Sequence, residues 1–255
     1  MKIQRRTLNT LALATLMSIT VCAQAQNVIK IGEINSYKAQ PAFLEPYKKG
    51  MELAVEEINA TGGVNGKKIE LIIRDDNANP GDAVRAAEEL ISREKVDVLT
   101  GSFLSNIGLA LTDFAKQKKF FFLAAEPLTD KIVWQNGNRY TFRLRASTYM
   151  QTSMLVPEAA AMKKKRWAII YPNYEYGQSA AASFKTLLKA AQPDVEFVAE
   201  QATPLGRIDS GSVVQAVVMQ NPTPFSTYFL ALTCPNLCAK ATHAACSRGV
   251  KWLVC

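Results

Sequence analysis

The chain has 255 residues, 48% of them hydrophobic, enough apolar content for one large domain or two small ones. The formal net charge of +8 argues against a nucleic-acid-binding face, because the excess sits at the two ends. Lys2, Arg5, Arg6, Lys240, Arg248 and Lys251 lie in 1–25 and 224–255, which hold no acid, leaving 24 basic residues against 22 acidic ones between them.

The segment 1–25 reads as an export signal. Lys2, Arg5 and Arg6 form a charged head, Leu8 to Val21 an apolar stretch, and Ala23-Gln24-Ala25 a small-x-small cleavage site. Arg5-Arg6 leaves a twin-arginine signal open, and Ile19 to Cys22 a lipoprotein box. The apolar stretch is too short for a spanning helix, so cleavage after Ala25 and a periplasmic product are expected.

From residue 26 the chain alternates between two periods. Val28 to Ile34 suits a buried strand, and Phe43, Tyr47, Met51, Ala54 and Ile58 recur at near-helical spacing until Gly62-Gly63. Ile69 to Arg74 is the next strand. Asn79 before Pro80, with Asp82 at the third helical position, predicts a capped helix through Leu90. A strand at Val96 to Thr100, a turn at Gly101 to Ser105, a helix to Gln117 and a strand at Phe120 to Ala124 follow. Arg139 to Ser147 reads as a crossover. The pattern then restarts with a helix at Thr148 to Met162, a strand at Arg166 to Tyr171, a helix at Gln178 to Ala191, a strand at Val195 to Gln201 and a helix at Gly211 to Gln220. Such alternation requires parallel sheets with right-handed crossovers, giving an N-terminal α/β lobe over 26–145 and a partial second lobe over 146–223. Two such lobes joined by a crossover predict a hinged clamp with its ligand between them.

Open α/β sheets bind ligands beyond the carboxyl ends of their strands. The loops there hold Asn35-Ser36-Tyr37, Gly101 to Ser105, Ala124-Ala125-Glu126, and Tyr171 to Gly177 with Tyr174 and Tyr176. Ser105 opens a helix, where its hydroxyl and the first backbone N–H groups suit a small carboxylate, or where it caps the helix and nothing more. Tyr176 reads equally as a ligand contact or a packed aromatic. Glu126 and Ser36 read as site residues or as solvated loop residues. Residues 26–223 contain no histidine or cysteine, no G-x-G-x-x-G, no Walker A sequence and no G-x-S-x-G. No catalytic residue, cofactor or metal site is therefore assigned to this stretch, and a binding module is expected ahead of an α/β enzyme or a periplasmic sensor.

Val28 to Gly32, the block Ala54 to Gly66 (AVEEINATGGVNG), Asp75-Asp76 followed by Pro80, Gly101 with Ser105, Ala124-Ala125 and Tyr176-Gly177 together resemble the leucine/isoleucine/valine-binding branch of the type I periplasmic binding proteins, from about Asn27 to about Pro222. The resemblance implies capture of an amino acid of the branched-chain type, or a related small amide or carboxylate, for an ABC importer with permease partners in the inner membrane. It implies that Ser105 and the backbone at Ala124 hold the ligand's carboxylate and ammonium groups, that Tyr176 closes from the second lobe, and that Tyr37 lies near the ligand's side chain. Glu126 departs from the pattern, since a hydroxyl residue is usual there. A carboxylate at this point favours a cationic or hydrogen-bond-donating group over an anion.

The segment 224–255 differs in character. Acids vanish, while Cys234, Cys238, Cys246, Cys255 and the single histidine, His243, all fall in it. A shift of reading frame near residue 223, leaving the second lobe incomplete, is the expectation. The alternative is a zinc ligand set at Cys234, Cys238, His243 and Cys246, whose spacing matches no common zinc module.

Overall fold

The computed structural model describes residues 28–205 and the backbone of 227–231 and 251–254. The export signal, the helix expected at 211–220 and the cysteine-histidine cluster lie outside the described residues.

The first lobe is a five-stranded parallel sheet in the order β2-β1-β3-β4-β5, formed by β1 (Val28–Asn35), β2 (Lys68–Asp75), β3 (Val98–Gly101), β4 (Phe122–Ala124) and β5 (Thr141–Arg143). Helices α1 (Pro41–Ala60), α2 (Pro80–Ser92) and α3 (Ser105–Lys118) make the crossovers. Because β2 lies on one side of β1 and β3 on the other, the strand order reverses between β1 and β3, and the carboxyl ends of these two strands are where open α/β sheets take their ligands.

The second sheet runs β7-β6-β8-β9, again parallel, from β6 (Arg166–Pro172), β7 (Glu196–Thr203), β8 (Thr227–Ala231) and β9 (Lys251–Val254), with helices α4 (Thr148–Ala161) and α5 (Glu175–Ala191). Strands β8 and β9 come from the segment 224–255. The fold is thus α/β with two parallel, doubly wound lobes.

Each lobe has its own apolar core. Ile34, Leu90, Leu99, Ile107, Leu111 and Phe122 are all within 1% of full burial in the first, as are Trp167, Ile169, Phe184 and Leu188 in the second. Trp167 and Phe184 meet nearly edge-to-face, with ring centroids 5.7 Å apart. Asn79 caps α2 as its sequence requires, its side-chain oxygen accepting from the Gly81 and Asp82 N–H groups.

Two expectations change. Arg139 to Ser147 is not crossover throughout, because Thr141–Arg143 pairs with β4 as an edge strand. Helix α1 buries a flank offset from the expected one: Leu44 is fully buried, whereas Phe43 and Ile58 stay exposed.

Candidate functional site

The site grows from the last turns of β1. In a strand, side chains two apart share a face, so Glu33 and Asn35 emerge together while Ile34 enters the core. Glu33 has no exposed surface. Its Oε2 accepts the Tyr37 hydroxyl at 2.7 Å and its Oε1 accepts Asn35 Nδ2 at 3.1 Å. The same Asn35 nitrogen lies 3.3 Å from Glu126 Oε2, so one amide group bridges two carboxyls. Asn35 Oδ1 accepts the backbone N–H groups of Ser36 (3.1 Å) and Phe103 (2.8 Å), so both ends of this side chain are engaged.

The turn after β3 fits against this group because Gly101 has no side chain. Its φ is +113°, and a Cβ there would collide with the Ile34 carbonyl and lie 2.7 Å from Glu33 Oε1. Ser102, also at positive φ, donates its N–H to the Ile34 carbonyl at 2.8 Å. Phe103 then stacks on Phe43 of α1, with centroids 5.5 Å apart, forming an aromatic wall just past the carboxyl end of β3.

Burial dominates the electrostatics. It pushes the Glu33 carboxyl up to about 8 from an ordinary 4.5, with Glu126 and Asp76 adding repulsion and the Tyr37 and Asn35 hydrogen bonds opposing the shift. Glu126 is raised by burial as well, against the pull of Asn35 and Arg145. The phenols of Tyr37 and Tyr47 are raised by burial and by Glu33. Arg145 lies 3.8 Å from Glu126 and is about half exposed.

Tyr37 and Glu126 thus share one cluster. Ser105, at the start of α3, anchors the loop that follows Glu126. It is 1% exposed, makes no capping bond, and its hydroxyl oxygen accepts the N–H groups of Leu128 (3.2 Å) and Thr129 (3.3 Å). Ala124 is buried, and its carbonyl accepts the Leu144 N–H at 3.1 Å. Ser36 is buried too, donating to Asp76 at 2.6 Å. Of the two tyrosines after β6, Tyr176 packs on the second lobe's core, whereas Tyr174 packs against the first lobe's. Sequence reasoning missed Glu33, Tyr47 and Arg145. For Glu33 the signal was present: a carboxylate two residues from Asn35, at the end of an otherwise apolar strand.

Among the described residues no group of three His, Cys, Asp or Glu side chains could hold a metal ion, and no helix is long and apolar enough to cross a membrane.

Comparison with known proteins agrees with this architecture. The chain is 32% identical over 214 residues to Leu/Ile/Val-binding protein homolog 7 of Brucella melitensis, covering 80% of this chain and 53% of the relative. It is 29% identical over 189 residues to an amino acid binding protein of Pseudomonas aeruginosa, covering 73% and 50%. The chain therefore spans about half the length of these relatives. Among solved structures, a solute binding protein of an ABC transporter from Rhodopseudomonas palustris in complex with 3,4-dihydroxybenzoic acid superposes with a TM-score of 0.78 at 24% identity, over 90% of this chain and 62% of that one. An ABC transporter substrate-binding protein from Desulfitobacterium hafniense in complex with Leu gives 0.70 at 20% identity, over 89% and 66%. These two likenesses concern the fold. A family model described as periplasmic binding protein matches residues 28–251, continuing past Pro222 through β8, and the chain belongs to that family.

Proposed function

We propose that the chain is the solute-capturing component of an ABC importer, exported to the periplasm, where it delivers its ligand to permease subunits in the inner membrane without making or breaking a bond. The ligand is a small amino acid of the branched-chain type, or a related amide or amine, held beyond the carboxyl ends of β1, β3 and β4. The observation that carries this reading is the pairing of Glu126 with Glu33 through Asn35 at the point where the strand order reverses. Two carboxyls with one nearby arginine suit a ligand that presents an ammonium or amide N–H to Glu126, and they disfavour a plain carboxylate. The Phe43–Phe103 wall offers an apolar surface for the rest of the molecule.

The test is a thermal-shift and calorimetric panel of leucine, leucinamide, benzylamine and benzoate, run on the chain and on Glu126→Gln. Amine-bearing solutes stabilise the parent and bind Glu126→Gln about tenfold or more weakly, the scale of one hydrogen bond to a charged group. Benzoate binding as well as the amines, or amine affinity indifferent to Glu126→Gln, rejects the reading.

A further inference from the structure

Three consecutive residues in the loop after Glu126 carry much of the polar contact between the lobes. The Thr129 hydroxyl donates to Glu175 Oε1 at 2.7 Å, and Lys131 Nζ reaches Glu175 Oε2 at 3.0 Å. Between them, the Asp130 carboxylate accepts the Thr148 hydroxyl at 2.6 Å, the Tyr149 N–H at 3.0 Å and the Ser183 hydroxyl at 3.4 Å. The Ser179 hydroxyl lies 2.6 Å from that of Thr148. Either hydroxyl can donate in that pair, and Ser179 Oγ also lies 3.5 Å from Asp130 Oδ2. Glu175, Ser179 and Ser183 are four residues apart on α5 and so share the face turned to the first lobe. Each lobe lends the other one carboxylate.

Both carboxylates are well placed for this. Glu175 opens α5 and Asp130 accepts a first-turn N–H of α4, positions where helix dipoles favour negative charge. The 127–131 segment is itself fastened to the first lobe. Ser105 holds its Leu128 and Thr129 N–H groups, and the partly buried Arg143 donates to the carbonyls of Pro127 (2.9 Å) and Thr129.

We propose that Asp130 and Glu175 form a two-part joint, Asp130 the pivot and Glu175 the latch, that sets how far the second lobe opens from the first. Thr148 and Tyr149 follow the 144–147 crossover directly, so their separation from Asp130 changes little as the lobes part. Asp130 is 5% exposed and held by donors from both α4 and α5. Glu175 begins a helix reached only after α4 and β6, and one of its two partners, Lys131, is about half exposed. Its contacts are among those that opening must break.

The joint is tested on the full chain by small-angle X-ray scattering and hydrogen exchange, without ligand. Glu175→Ala and Lys131→Met enlarge the radius of gyration and speed exchange of the Gln178 amide, in the first turn of α5, about tenfold, while β1 and β6 stay protected. Asp130→Asn instead speeds exchange of the Tyr149 amide. Unchanged scattering and exchange in Glu175→Ala and Lys131→Met, with parental circular dichroism, overturns the proposal. A general loss of protection in Asp130→Asn, spread across both sheets, overturns its role as pivot. If Asp130→Asn does not fold, Thr148→Val, which removes one donor to the pivot, takes its place with the same two outcomes.

Discussion

The Tyr37 hydroxyl donates to Glu33 2.7 Å away, and this contact places a phenol against a carboxyl that has no exposed surface. The pair explains how an acid is tolerated at the end of a core strand. Burial favours the neutral form, while the Tyr37 and Asn35 donors offset part of the cost of the charged one.

A pH dependence of stability follows. Glu33 is raised from 4.5 to about 8 in the folded chain, so the folded state binds the proton more tightly than the unfolded state does. Its contribution is fully present below pH 4.5 and is lost as pH rises through 8. Glu33→Gln, neutral at every pH, removes this dependence. The melting temperature of the parent should fall relative to Glu33→Gln between pH 5 and pH 8; a constant difference across that range contradicts the assignment.

Ser105 is expected to matter as a loop anchor. Replacing it with alanine strands the buried Thr129 N–H and the neighbouring Leu128 N–H, at about 1–3 kcal/mol for an unsatisfied buried donor. Urea unfolding should register that loss, and exchange of these two amides should accelerate. Wild-type stability in Ser105→Ala would mean that these two N–H groups find other partners at little cost.

Two glycines make a paired test of backbone geometry. Gly62 (φ +106°) and Gly101 (φ +113°) both occupy conformations that side chains resist, but a Cβ on Gly62 meets nothing within 4 Å. Gly62→Ala should cost about 1–2 kcal/mol from backbone strain alone. Gly101→Ala should cost about 1–3 kcal/mol more, because it also collides with the Ile34 carbonyl. Denaturant midpoints of the two variants decide, and equal losses would place the Gly101 turn farther from β1.

Asn79→Ala should lower stability by about 0.5–2 kcal/mol, the usual cost of a lost helix cap, since two N–H groups at the start of α2 depend on that side chain. An unfolding midpoint indistinguishable from the parent's would mean that water replaces the cap at little cost.

The order of strands and helices was legible because periods of two and 3.6 are written into the apolar residues themselves, and the α2 cap because Asn79-Pro80 is a local signal. Strands β5, β8 and β9 were not: Thr141–Arg143 is too short to carry a period and is defined by its pairing with β4, and the composition of 224–255 set that segment apart from the second lobe. Within the site, Tyr37 and Glu126 could be picked out by their place after strands. What Ser105 binds could not, because Leu128 and Thr129 lie 23 and 24 residues farther along. Tyr174 and Tyr176 are two residues apart at the start of α5, and only the packing of one lobe on the other separates their neighbours. The Asp130–Glu175 contacts are likewise products of assembly, joining polar residues that look solvated when read alone.

The arginine beside Glu126 has one more implication. With Arg145 3.8 Å away and about half exposed, Glu126 has a counter-ion that reaches solvent. On the proposed function, an incoming ammonium group would not meet a bare carboxylate; it would displace one positive partner and take its place. Binding would then be an exchange of ions at Glu126, and selectivity would rest on how well each cation fits there, more than on the magnitude of its charge.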